Sequence, residues 1–159
     1  METEHIVNQD KTLIHKLLEV KDKIKFFQDL EDDEIQLLIH SIVFKKYNKN
    51  EIIFLQGENK DDYIYYILKG FVNIHIRDDN NIARKVATLN PGTLIGEMKP
   101  ILDEGRTATC VAGTPGAVVL GFVIDQSDIK KDSLAYAKFY RNMSYILAKK
   151  VQDTNKRIK

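Results

Sequence analysis

The sequence predicts a mainly β fold with flanking helices, and three observations carry that prediction. Between Val43 and Ile124, short apolar runs alternate with clusters of Gly, Pro, Asn and Asp, the punctuation of an antiparallel β domain. Before Val43 the apolar residues recur at helical spacing. From Leu134 to Ile158 there is neither glycine nor proline, so one long helix can run there. Seven or eight short strands with turns between them fit an antiparallel barrel or a jelly roll.

Each element has a local reason. Leu13, Ile14, Leu17 and Leu18 form a helical stripe over residues 10–20, with Asn8 or Asp10 as its cap, and a second piece spans 24–30. Asp32 or Asp33 caps a helix running through Ile42, with Ile35, Leu38, Ile39 and Ile42 on one face. Strands follow at 52–55, 63–68 and 71–77; in the last of these Val72, Ile74 and Ile76 make one apolar face. Asp78, Asp79, Asn80 and Asn81 signal a hairpin turn, 83–89 returns, and Asn90-Pro91-Gly92 turns again. Residues 106–112 and 117–124 form a last pair joined by Gly113-Thr114-Pro115-Gly116. Residues 125–128 offer caps for a brief helix, and Asp132-Ser133 opens the long one.

That last helix carries two stripes. Ala137, Tyr140, Ser144, Leu147, Val151, Thr154 and Ile158 alternate steps of three and four, a heptad seam able to meet a partner helix. Phe139, Met143 and Ile146 lie on the neighbouring face and can pack on the chain's own β domain. One helix needs a single apolar stripe to bury itself, so the second suggests a homodimer; burial of both on one core is the plainer alternative.

Composition narrows the function classes. At 159 residues with 43% apolar content the chain can bury the core of one domain. Lys+Arg (24) and Asp+Glu (23) nearly cancel, so no basic face for nucleic acid is demanded. The single cysteine, Cys110, forms no internal disulfide and reads as a small buried hydrophobe. No apolar run approaches the roughly 20 residues of a membrane span, and the polar start lacks the apolar core of a signal peptide, so cytoplasmic residence is expected. The four histidines have no ligand spacing, and no Ser-His-Asp or Cys-His set is placed by a motif. The pairs Asp61-Asp62, Asp78-Asp79 and Asp103-Glu104 read as turn chemistry. Neither a metal, a cofactor nor a catalytic residue is expected.

The chemically pointed stretch is 91–112, with Gly96-Glu97-Met98 followed by Arg106-Thr107-Ala108-Thr109. A glycine lets a backbone N–H approach a ligand closely. The carboxylate can accept two hydroxyl hydrogen bonds, and the arginine can grip an anion with two parallel donors. Sugar hydroxyls and a phosphate would satisfy all three. The bland reading makes Glu97 a helix N-terminal acid and Arg106 its salt-bridge partner. Against it, an arginine buried in a strand among Thr, Ala and Val is costly unless an anion compensates it.

On these residues the segment resembles the phosphate-binding cassette of cyclic-nucleotide-binding domains, whose pattern is Gly-Glu-aliphatic, a short helix, then Arg-small-Ala-Thr/Ser. The likeness extends from about Phe26 to the C-terminus and includes Gly57 and Gly70 as strand-turn glycines. It implies a β-roll with its lead-in helix at 26–124 (a double-stranded β-helix or jelly roll) and lid or dimerisation helices at 125–159; residues 1–25, a helical extension by their periodicity, it leaves unexplained. It also implies a 3′,5′-cyclic nucleotide as ligand, cAMP favoured over cGMP, with a site of Ile95, Gly96, Glu97, Met98, Lys99, Arg106, Thr107, Ala108, Thr154 and Asn155. In that reading the phosphate lies at the start of the helix at 98–102, Arg106 neutralises it, Thr107 adds a hydroxyl, and Glu97 takes the ribose 2′-OH. Thr154 would bond adenine from its own subunit and Asn155 from the partner; equally, Thr154 can be a seam residue and Asn155 solvated. Thr107 also suits guanine. Lys99-Pro100 stands where small or apolar residues are usual, and Ile95 where an aromatic is common. After Asn155 no helix-turn-helix follows, so the expected output is an unidentified effector protein rather than DNA. A drifted, ligand-free domain used for docking or dimerisation, or a truncated transcription regulator, are the alternatives.

Overall fold

The computed structural model describes residues 2–5, 15, 17–19, 21–38, 42–123, 130 and 132–158. They fall into two compact units, Met1–His5 with Val43–Ile124, and Ile6–Ile42 with Asp125–Lys159.

The first unit is a seven-stranded antiparallel sheet. Its strands are β1 (Glu2–His5), β2 (Ile42–Asn48), β3 (Ile52–Phe54), β4 (Ile64–Arg77), β5 (Ala83–Leu89), β6 (Leu94–Ile95) and β7 (Thr109–Phe122). The order is β1-β2-β7-β4-β5, with β3 also on β7 and β6 also on β4. The roll predicted from the sequence is therefore present, but with fewer and longer strands. The runs at 63–68 and 71–77 are one strand, and so are 109–112 and 117–122. Sequence reading broke each at its glycine. The ladder instead continues, from Ile64↔Phe122 to His75↔Thr109, and shifts register at Ile67/Lys69 and Gly70/Val72. Gly70 (φ 76°) is required there, since a Cβ would stand 1.9 Å from the Gly116 carbonyl oxygen. The β4–β5 hairpin turns where predicted: Asp78 Oδ1 accepts from the N–H groups of Asn80 and Ile82 at 2.9 and 3.0 Å.

Inward residues of five strands close the roll's core. Tyr47, Phe54, Tyr65, Ile67, Val72, Ile95, Ala112 and Val119 pack there with Cys110, the buried small hydrophobe expected. Within the first 25 residues, read as helical, residues 2–5 are instead extended and pair with β2.

In the second unit, 3-10 turns at Lys21–Lys23 and Lys25–Phe27 precede α1 (Asp32–Leu38), and a long helix, here α3 (Ser133–Ile158), closes it. Ile42 begins β2 and does not end a helix, a correction to the sequence reading. A capping contact fixes the start of α1, because Glu34 Oε1 accepts from the Glu31 N–H at 2.9 Å. Asp132 caps α3 through the Ala135 N–H at 3.0 Å. The two stripes of α3 separate only in part: Phe139, Met143 and Ile146 are buried and Ala137, Ser144, Val151 and Thr154 are exposed, but the seam's Tyr140 and Leu147 are half-buried. The partner observed for Phe139 is Phe26 of the second turn, stacked at 5.2 Å, where the sequence reading had assigned that stripe to the roll. Asn142 Nδ2 donates to the carbonyls of Phe26 and Gln28 at 2.7 and 2.8 Å. The brief helix expected at 125–128 and most of the stripe at 10–20 lie outside the described residues. Among the described residues, no helix is long and apolar enough to cross a membrane.

Candidate functional site

The site is assembled by two short strand pairings. In β6, Ile95 pairs with Tyr65 and Leu94 with Tyr66 of β4. One step beyond Ile95 lies Gly96, and two steps back from Tyr65 lies Tyr63, so the loop preceding β4 comes against the start of the cassette. In β3, Phe54 pairs with Cys110 of β7, which brings its ring beneath the residues just before β7.

Arg106 sits where these meet, 4% exposed. It lies in the loop ahead of β7 and not in a strand, contrary to the sequence reading. Its guanidinium has three acceptors. Nη1 donates to the Gly96 carbonyl at 2.9 Å; Nη2 donates to the Tyr63 carbonyl at 2.9 Å and to Asp61 Oδ1 at 2.8 Å. Its plane rests on Phe54, with Cζ 4.3 Å from the ring centroid. The compensating anion that a buried arginine needs is thus supplied by the chain itself. Asp61 was read from the sequence as turn chemistry, and that reading holds alongside the new one, since Oδ1 also accepts from the Tyr63 N–H at 3.1 Å.

Gly96 adopts φ 77°, and a Cβ there would meet Arg106 Nη1 at 2.5 Å. Only glycine combines that backbone with that neighbour. Glu97 is the N-cap of a short helix, α2 (Met98–Leu102), and is half-buried. Met98 is exposed, and its sulfur accepts from the Thr107 hydroxyl at 3.6 Å. Lys99, expected as a lining residue, is buried and bonded to Asp62. Ile95 is buried, Thr107 exposed and Ala108 half-buried. The structure therefore brings Ile95 through Lys99 and Arg106 through Ala108 together in the roll. Thr154 and Asn155 are exposed residues of α3 and belong to the other unit; the Thr154 hydroxyl donates to the Lys150 carbonyl at 2.9 Å.

A polar wall borders this cluster. Lys45 Nζ donates to the Tyr65 hydroxyl at 3.0 Å and lies 5.1 Å from the Tyr63 ring centroid. Burial holds the Lys45 ammonium below its ordinary range; Asp61 opposes that shift and Arg106 reinforces it. Burial, then Asp61 and Glu51, push the Tyr47 phenol up to about 12. The Tyr47 hydroxyl is buried without a hydrogen-bond partner among the described residues. No group of His, Cys, Asp and Glu among the described residues is arranged to hold a metal ion.

Sequence reading missed Asp61, Asp62 and Phe54 as members of the site. No spacing rule reaches from Asp61 to Arg106, 45 positions on; the Tyr65↔Ile95 pairing and the backbone bonds that join Gly57 and Glu58 to Arg106 do.

Residues 44–131, more than half of the chain, match the family model of the cyclic nucleotide-binding domain. The chain is 35% identical over 88 residues to the cAMP-dependent protein kinase regulatory subunit of Eremothecium gossypii, covering 55% of this chain and 18% of that protein. It is 32% identical over 99 residues to the cGMP-dependent protein kinase egl-4 of Caenorhabditis briggsae, covering 62% and 13%. The chain thus spans less than a fifth of either kinase protein. Among solved structures, a cyclic nucleotide-binding domain from Methylobacillus flagellatus superposes with a TM-score of 0.75 at 22% identity, over 98% of this chain and 87% of that one.

Proposed function

The chain belongs to the cyclic nucleotide-binding domain family, and from that premise we propose that it is a regulatory module whose cassette binds a 3′,5′-cyclic nucleotide. The observation that carries the reading is the placement of Arg106: a buried guanidinium beside Gly96, one residue from Glu97 and the start of α2. A cyclic phosphate takes the guanidinium from Asp61, whose carboxylate is 44% exposed and can rehydrate on release. Glu97 then accepts from the ribose 2′-OH, and Thr107 exchanges its sulfur acceptor for the ligand. No catalytic role is assigned to any of these residues.

The relatives include both cAMP- and cGMP-dependent kinase proteins. Within the proposal cAMP is the favoured ligand, with Thr154 and Asn155 of α3 approaching the base. Ligand contacts made in one of two arrangements of the C-terminal helix bias it and pass occupancy to an effector protein. Within the same proposal the module is a homodimer joined through α3, a reading supported by the exposed seam positions Ala137, Ser144, Val151 and Thr154.

A second reading is favoured by one specific feature. Because Asp61 and two carbonyls already satisfy Arg106, the domain could stand as a ligand-free docking module. Thermal melting with cAMP and with cGMP separates the two, since a ligand that binds only the folded state must raise the melting temperature. A rise with either nucleotide is expected; none at millimolar nucleotide selects the docking module.

A further inference from the structure

The loop between β3 and β4 grips the cassette with two consecutive carboxylates. Asp61 takes Arg106, and Asp62 takes the Lys99 ammonium. The second pair is lopsided: the Lys99 side chain is 7% exposed and that of Asp62 59%, so the cation lies inside and its carboxylate at the rim. At its other end the same loop is fastened to the cassette by backbone, with the Gly57 N–H donating to the Arg106 carbonyl at 2.7 Å and the Arg106 N–H to the Glu58 carbonyl at 3.1 Å.

These contacts differ in what a ligand does to them. A phosphate arriving at Arg106 must displace Asp61, whereas the Asp62–Lys99 pair involves neither the guanidinium nor its acceptors. A group held next to its target by a separate bond competes as though at high local concentration. We propose that the Asp62–Lys99 ion pair is a tether that keeps Asp61 in place as an internal competitor for Arg106, and so sets the nucleotide concentration at which the site fills. Asp62 and Lys99 are positioning residues in this account. It rests on the cyclic-nucleotide reading above, and accounts for a buried lysine in a cassette position where the resemblance leads one to expect a small or apolar residue.

The test uses the full chain and two measurements. Amide hydrogen exchange, without ligand, reads the loop through the N–H groups of Gly57 and Arg106; calorimetric titration with cAMP and cGMP reads the site. Asp62→Asn is expected to speed exchange at both amides and to tighten nucleotide binding by about two- to fivefold, the range a half-exposed ion pair supplies. Asp62→Glu restores both, and Lys99→Met, which removes the pair without leaving a lone buried cation, reproduces Asp62→Asn. In an Asp61→Asn background the affinity gain disappears, because the competitor is already gone. Unchanged exchange in Asp62→Asn overturns the tether. A gain that persists in the Asp61→Asn background also overturns it, and assigns the effect to direct attraction by the freed Lys99. If exchange responds but no variant binds either nucleotide, the ligand reading falls and takes the threshold role with it, leaving only a structural clasp.

Discussion

Arg106 Nη2 stands 2.8 Å from Asp61 Oδ1, across 45 residues of sequence, so the cation at the heart of the cassette already has an anion. The guanidinium is 3% exposed and its partner 44%. The pair therefore desolvates one charge and leaves the other wet, an arrangement that costs less to break than one buried on both sides.

Arg106→Lys tests how far the fork geometry matters. An ammonium cannot serve the Gly96 carbonyl, the Tyr63 carbonyl and Asp61 at once while stacking on Phe54. Urea denaturation is expected to show a loss of about 1.5–3 kcal/mol, the range for a charge-assisted bond. A loss under 0.5 kcal/mol, on the order expected of a neutral surface change, would mean the three bonds contribute little.

Gly96→Ala places a methyl 2.5 Å from Arg106 Nη1 on a backbone with φ 77°. The backbone alone costs about 1–2 kcal/mol for a residue with a Cβ, and the displaced guanidinium adds to it. Lower stability together with weaker nucleotide binding is expected. Wild-type values for both would show that Arg106 can hold its place without the glycine.

Glu97 is tested from the ligand side. Binding of cAMP should exceed that of 2′-deoxy-cAMP by roughly tenfold or more, the worth of a hydrogen bond to a carboxylate. Glu97→Gln should narrow that ratio. Equal affinity for the two ligands removes Glu97 from the sugar contact.

The helical unit carries a pH signature. The Glu34 carboxyl is held below its ordinary value of 4.5, first by the Glu31 N–H and then by the Lys138 ammonium, whose Nζ lies 2.7 Å away. A depressed carboxyl contributes stability that is fully present above the unfolded value and is lost as pH falls through the folded one. The melting-temperature gap between wild type and Glu34→Gln should be widest at neutral pH and close below pH 4.5. A gap independent of pH would place its origin elsewhere.

On α3, Val151 is 60% exposed and stands on the seam with Ala137 and Ser144. Sedimentation equilibrium should find a dimer for the wild type and a monomer for Val151→Glu, with the fold retained because Phe139, Met143 and Ile146 are untouched. A monomeric wild type sinks the homodimer.

What the sequence disclosed and what it hid follow from the range of the interactions. Alternation and turn residues are local, so the β class, the Asp78 hairpin and the buried face of α3 at Phe139, Met143 and Ile146 were all legible. Continuity of β4 and β7 was not, because Gly70 and Gly116 look like chain breaks until each is seen beside the other in a bent ladder. The cassette was legible as a motif around Gly96 and Arg106. Its counter-ion was not, since Asp61 looks like any turn aspartate and indeed caps the Tyr63 N–H. A charge partner fixed by strand pairing leaves no mark in spacing.

The central claim is that Arg106 exchanges Asp61 for a cyclic phosphate. Isothermal titration of the wild type and of Arg106→Ala with cAMP and cGMP tests it most directly. The account predicts saturable binding of at least one nucleotide to the wild type, weakened by roughly tenfold or more in the variant. Equal affinity in the two proteins, or no heat from either, would contradict it.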